Sequence, residues 1–185
     1  VSDVIDKRES LLLQTPQSLW SRFRIDVKVN SKVTKVNPAT KTVEVLNLLT
    51  GETFIDSYDK LVITTGAKPK HLAIPGIERA LTLRNVTDAD NVKAALDVAT
   101  EKSVAIIGAG FIGIELAENI RGLGFPVTLL QRGSRILSQF DPEMIAPLQA
   151  RLEQNDVKIR LNATPVAITE NSLRLATGEE ISAGV

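Results

Sequence analysis

Val104-Ala105-Ile106-Ile107-Gly108-Ala109-Gly110-Phe111-Ile112-Gly113 is the stretch on which the fold of this chain turns. Four apolar residues suited to a buried strand run directly into a glycine-rich turn, after which Ile114, Leu116, Ala117 and Ile120 recur at helical spacing. Gly108 permits a sharp exit from the strand, and Gly110 lets the backbone approach a pyrophosphate with no Cβ in the way. Gly113 lets the helix lie close to the sheet. The unpaired amides and partial positive charge of the helix N-terminus bind the anion, so the loop needs no lysine. Gly122 and Gly124 close the helix, and Pro126-Val127-Thr128-Leu129-Leu130 predicts the second strand. Strand, loop, helix and strand in this order predict a dinucleotide site, with Gly108, Ala109, Gly110, Phe111, Ile112 and Gly113 as its phosphate loop.

The residues after the second strand bear on which dinucleotide. A carboxylate there would accept hydrogen bonds from the ribose 2′-OH of NAD(H), and this chain has Gln131, Arg132 and Arg135 instead. Guanidinium groups pair with a 2′-phosphate, which favours NADP(H). NAD(H) stays open if Gln131 bonds the ribose and the arginines are solvated loop charges. Further on, Asp141 is expected to cap a helix that starts at Pro142 and turns Ile145, Leu148 and Leu152 to the sheet, with a kink at Pro147. Upstream, a helix is expected from about Asp88, capped by Thr87 or Asp88, with Val92, Ala95, Leu96 and Ala99 as its apolar stripe.

Two short-strand patterns flank this unit. Val33 to Val36, a turn at Asn37-Pro38, Val43 to Leu46 and Thr50-Gly51-Glu52 before Phe54 make one meander. Val166 to Thr169, a turn at Glu170-Asn171, Leu173 to Ala176 and Thr177-Gly178-Glu179 before Ile181 make its counterpart. The first leads into Leu61-Val62-Ile63-Thr64, an apolar run suited to a buried parallel strand. The second stops at Val185, where a last strand is expected to be missing, and the glycine loop that would precede the first falls before Val1. Gly66 to Arg84, with Pro69, Pro75 and Gly76, reads as a linker. The fold class expected is α/β, with a Rossmann-like dinucleotide-binding domain of parallel sheet and β-meander (residues 85–185) and part of a second such domain (residues 1–84).

Composition sets the outer limits. The chain has 185 residues, 43% of them hydrophobic, and its 22 Lys and Arg balance 22 Asp and Glu. No net field draws it to nucleic acid or to an anionic membrane. It lacks a long apolar run and a leader-like start, so a cytoplasmic location is expected. With no Cys and one His, thiol chemistry and Cys or His metal sites are unavailable, and His71, between Pro69 and Pro75, reads as a solvated linker residue.

With these residues in hand, the chain resembles the pyridine nucleotide-disulfide oxidoreductases, especially their coenzyme A-disulfide reductase and NADH oxidase branch. The likeness is most specific at Tyr58-Asp59-Lys60-Leu61-Val62-Ile63-Thr64-Thr65-Gly66-Ala67-Lys68-Pro69, at Leu83-Arg84-Asn85-Val86-Thr87-Asp88, and from the glycine loop to Glu118. In that family an FAD-binding domain is interrupted by an NAD(P)H-binding domain, which would account for the two meanders. The resemblance implies hydride transfer from NAD(P)H to FAD and on to an acceptor, with coenzyme A disulfide, another disulfide, oxygen and peroxide all open. It also implies a homodimer in the full-length protein. Thr64, Thr65 and Gly66 match the strand-end segment near FAD, Phe111 the aromatic gate over the flavin that moves when nicotinamide enters, and Glu115 the acid near the nicotinamide carboxamide. Read without the family, Phe111 is ordinary packing and Glu115 an exposed helix charge; Trp20 reads as packing.

The departures are as informative. The family's FAD-binding glycine loop, redox cysteine and second FAD segment have no counterpart here, so no catalytic residue is assigned within the chain. On its own it is expected to bind a nicotinamide dinucleotide weakly and to carry no flavin. A non-catalytic dinucleotide-sensing domain is the alternative; it shares the glycine loop but has no need of the Tyr58 to Pro69 segment. A dehydrogenase acting directly on a small substrate would need a proton-transfer group, and Tyr58 and His71 both lie outside the domain of the glycine loop.

Overall fold

The first meander folds where its turn residues place it: β1 (Ser31–Asn37), β2 (Thr42–Asn47) and β3 (Thr53–Ser57) pair antiparallel in the order β1-β2-β3. This computed structural model describes residues 8–185, which fall into two compact units, residues 8–67 and Lys68–Val185. Register sets Val45 opposite both Val33 and Phe54, and a bulge interrupts β1 between Val33 and Lys35. Asn47 closes the second hairpin, its Oδ1 accepting from the backbone amides of Leu49 and Thr50.

Three features of this unit depart from the sequence reading. A helix, α1 (Pro16–Phe23), was not expected. It is built by a capping box, in which the Ser18 amide donates to Thr15 Oγ1 and the Thr15 amide to Ser18 Oγ, with Pro16 at the first helical position. Trp20 on this helix is not packed in a core: it is 52% exposed, with the Arg24 guanidinium 5.8 Å from its ring centroid. The run Leu61 to Thr64 is not a buried parallel strand. It belongs to no sheet, and Val62 is 80% exposed, because no described strand lies alongside to complete its ladder.

In the second unit the parallel sheet is β4 (Val104–Ile107), β5 (Val127–Leu130) and β6 (Val157–Arg160), with β5 in the middle. Val104 pairs with Val127, and Val127 with Val157. Both faces of β5 are covered, and three of its four residues, Val127, Leu129 and Leu130, are apolar and buried. Val127 and Leu129 pack into one cluster with Val92 and Leu96 of α2 (Val86–Val98), Ile114, Ala117 and Ile120 of α3 (Phe111–Gly122), and Ile145 and Leu152 of α4 (Pro142–Gln154). Leu130 packs on the other side with Ala163, Leu173, Leu175 and Ile181. These last three residues belong to the second meander, β7 (Pro165–Ile168), β8 (Ser172–Leu175) and β9 (Glu180–Ser182). The unit is thus layered as helices, parallel sheet and meander.

The helix starts correct two details. α2 is capped by Asn85, not by Thr87 or Asp88: the Asp88 amide donates to Asn85 Oδ1 at 2.9 Å, and the Asp88 carboxylate accepts from the amides of Asn85 and Arg84. Asp141 holds the cap position of α4 through its carbonyl, which accepts from the Met144 amide, while its carboxylate makes no capping bond. Strand β6 was also not singled out, since two alternating apolar residues, Val157 and Ile159, carry little periodicity. Past β9 the chain runs beside β4: the Val185 amide donates to the Ser103 carbonyl and the Ala105 amide to the Val185 carbonyl, the pattern of a parallel bridge. His71 is exposed, as expected, but the stretch around it is not a free linker: residues 68–84 belong to the second unit, where the Ile168 amide of β7 donates to the Pro75 carbonyl.

Candidate dinucleotide site

The glycine loop is tied to the sheet at its first residue. The Gly108 amide donates to the Leu130 carbonyl at 2.8 Å, and φ of +108° at Gly108 turns the chain out of β4 in a conformation that side chains disfavour. Gly113 is buried, and a Cβ built on it would collide with the Gly108 carbonyl and touch Ile106 Cγ2, so α3 sits against β4 only because this residue is glycine. Gly110 is the opposite case. It caps α3 with no side-chain hydrogen bond, and a Cβ there would meet nothing within 4 Å. The start of α3 therefore has no side-chain cap and opens onto free space at Gly110. A cavity of about 840 Å³ in this unit is lined mainly by residues 69–83, β4 and the second meander; it touches Gly108, Gly110 and Phe111, but Gln131, Arg132 and Arg135 do not line it.

The structure brings Gln131 to this loop. Its backbone is held on both sides, its amide donating to the Arg160 carbonyl and its own carbonyl accepting from the Ala163 amide, and its Oε1 accepts from the Ala109 amide at 3.3 Å. Ala109 is buried, and its carbonyl accepts from the Leu137 amide at 3.0 Å. The segment after β5 thus grips the loop at both polar groups of one residue. Arg132 and Arg135 are exposed on that segment; Arg135 Nη2 donates to the Ser138 carbonyl, and Arg132 forms no ion pair among the described residues.

Phe111, the first residue of α3, is 58% exposed and meets Phe140 edge to face, with ring centroids 5.7 Å apart and planes at 89°. Glu115 is exposed one turn further on, its carbonyl accepting from Asn119 Nδ2. Thr64, Thr65 and Gly66 lie in the other unit, exposed and outside any sheet. The sequence reading missed Leu137 and Phe140, for no spacing rule links residues 28 and 29 positions away from the loop members they touch. Among the described residues no group of three His, Asp or Glu side chains is placed to hold a metal, and no helix is long and apolar enough to cross a membrane.

A glycine loop between a parallel strand and a helix, backed by an antiparallel meander, defines a Rossmann-type α/β protein. The model for the pyridine nucleotide-disulphide oxidoreductases matches residues 3–185, and the chain belongs to that family. A coenzyme A disulfide reductase of Staphylococcus aureus is 32% identical over 178 residues, covering 96% of this chain and 40% of its own length. The crystal structure of reduced CoADR-RHD from Bacillus anthracis superposes with a TM-score of 0.92 at 38% identity, covering 98% of this chain and 33% of that one. An engineered water-forming NADPH oxidase bound to NADPH, a mutant of the Lactobacillus brevis NADH oxidase, gives 0.89 at 26% identity over all of this chain and 42% of its own. The chain thus spans about two fifths of the length of the curated relatives it matches.

Proposed function

We propose that the chain is the NAD(P)H-binding part of a flavoprotein oxidoreductase that, at full length, passes hydride from NAD(P)H to FAD and on to a disulfide, coenzyme A disulfide among them, or to oxygen or peroxide. The observation that carries the reading is the pair Gly110 and Gly113: open space over an uncapped helix start at one, backbone contact at the other. The residues present fit a dinucleotide. The amides at the start of α3 would receive the pyrophosphate, and Gln131, Arg132 and Arg135 would meet the adenosine ribose at the end of β5. Phe111 and Glu115 would face the nicotinamide half.

The residues present do not fit a flavin by themselves. Thr64, Thr65 and Gly66 are exposed and belong to no sheet, so what this chain contributes is binding and orientation of the reductant. In the larger protein the same reading carries FAD, a homodimer and a cytoplasmic location.

Two exposed arginines and no carboxylate after β5 favour NADP(H). The engineered NADPH oxidase supports this direction of chemistry, since its substitutions remove one aspartate and add two arginines. Calorimetric titrations of the chain with NADPH and with NADH, repeated on Arg132→Ala, test both levels. Tighter binding of NADPH is expected, with a loss of that preference in the variant. A variant that keeps the full preference removes Arg132 from the site, and a chain that binds neither nucleotide overturns the function.

A further inference from the structure

We propose that Leu137 is a positioning residue for this site: through its backbone amide it aims the Gly110 N–H at the pyrophosphate of the ligand, an inference that rests on the dinucleotide reading above. It starts from a strained residue. Leu137 is buried yet has φ of +42°, a left-handed conformation that a bulky side chain avoids unless its surroundings enforce it. Those surroundings are explicit. Ile136 beside it is fully buried, the Leu137 carbonyl accepts from the Phe140 amide at 3.0 Å, and the Leu137 amide donates to the Ala109 carbonyl at 3.0 Å. The strained turn therefore ends on one contact with the phosphate loop.

Peptide planarity carries that contact to the far side of the loop. The Ala109–Gly110 peptide is trans, so its C=O and N–H point in opposite directions, and fixing the carbonyl on Leu137 turns the Gly110 N–H away from the segment after β5. Among the described residues that N–H has no hydrogen-bond partner, and a Cβ built on the same residue would meet nothing within 4 Å. The Phe111, Ile112 and Gly113 amides follow it directly, and the first intrahelical bond is made only by the Ile114 amide. The preceding peptide obeys the same rule. Its Ala109 N–H is held by Gln131 Oε1, and its Gly108 carbonyl points the other way, at the place where a Gly113 Cβ would stand. Two successive peptides are thus gripped from the segment after β5, one by a side chain and one by a strained main chain, and only the second turns an N–H outward. A donor aimed before the ligand arrives needs no ordering when it binds.

The test removes the amide and keeps the side chain. Leu137 is replaced by its α-hydroxy acid through nonsense suppression, which turns the peptide before it into an ester with no N–H. Leu137→Ile, of equal size but branched at Cβ and so poorly suited to positive φ, disturbs the same contact by the ordinary route, while Leu137→Met keeps both the amide and an unbranched Cβ. NADPH and NADH are titrated on each protein, with thermal unfolding as the folding control. The ester and Leu137→Ile are expected to weaken both nucleotides by about three- to thirtyfold, and by the same factor, because the pyrophosphate is common to the two; Leu137→Met restores the affinity. The two perturbing variants reach the contact independently, so either one that unfolds cooperatively decides. A turn that merely carried Arg132 and Arg135 would change the ratio of NADPH to NADH affinity instead. Unchanged affinity for both nucleotides, a changed ratio, or an equal loss in Leu137→Met overturns the positioning role while the dinucleotide site stands. Failure of the starting protein to bind either nucleotide overturns the site itself.

Discussion

A missing methyl group at residue 110 separates binding from folding in this chain. Because a Cβ at Gly110 meets no atom and φ there is −86°, only the poorer capping by alanine acts on folding, and Gly110→Ala is expected to cost no more than about 1 kcal/mol. In the proposed site the same methyl would stand where the phosphate oxygens approach, so NAD(P)H affinity should fall by roughly tenfold or more. Denaturant unfolding together with nucleotide titration checks both halves; a variant that binds as before would show that the pyrophosphate does not approach Gly110. The loop was legible in the sequence because glycine's role is written in its composition: absence of a side chain is a local property. The partnership of Ala109 with Gln131 was not, since it depends on β4 and β5 lying side by side. Gln131 was placed at the ribose from its position after β5, and its bond to the loop assigns it a second task, setting the loop's shape.

Among the elements, helix α2 shows where sequence reading reaches its limit. Of its apolar stripe, Val92 and Leu96 are buried, Ala95 is half-buried and Ala99 falls past the helix end, and the cap lies two residues earlier than Thr87 and three earlier than Asp88. Asn, Thr and Asp can all cap, and only the reciprocal bonds between Asn85 and Asp88 decide among them. Asn85→Ala should therefore cost about 1 kcal/mol in denaturant unfolding. Thr87→Ala should stay within about 0.5 kcal/mol. The reverse order would return the cap to Thr87. Strand β5 was legible because an element covered on both faces carries apolar residues on both, here Val127, Leu129 and Leu130. Its centre is correspondingly sensitive: Leu129→Ala, at a fully buried position in the helix-facing cluster, should destabilise the second unit by about 2–5 kcal/mol. Four-residue β6 and the polar first turn of α1 offered no comparable pattern.

For the molecule as a whole, the duplicated meanders were legible because tight turns repeat in sequence as well as in space, and each folded as its own three-stranded sheet. The strand expected at Leu61 to Thr64 did not form, for an apolar run is only half of a strand and the neighbour that completes it is not among the described residues. Expressed alone, the chain is expected to elute colourless from purification, and stoichiometric flavin absorbance would contradict that. The same uncovered segment sets how the protein behaves in a tube. Leu61-Val62-Ile63-Thr64-Thr65 is β-prone, uncharged and free of proline, with its backbone amides and carbonyls outside any sheet, and such segments seed intermolecular stacking. Concentrated samples should cloud and bind amyloid dyes on storage, at a rate that rises with concentration. Val62→Lys should slow this without moving the unfolding midpoint, since the side chain it replaces points into solvent.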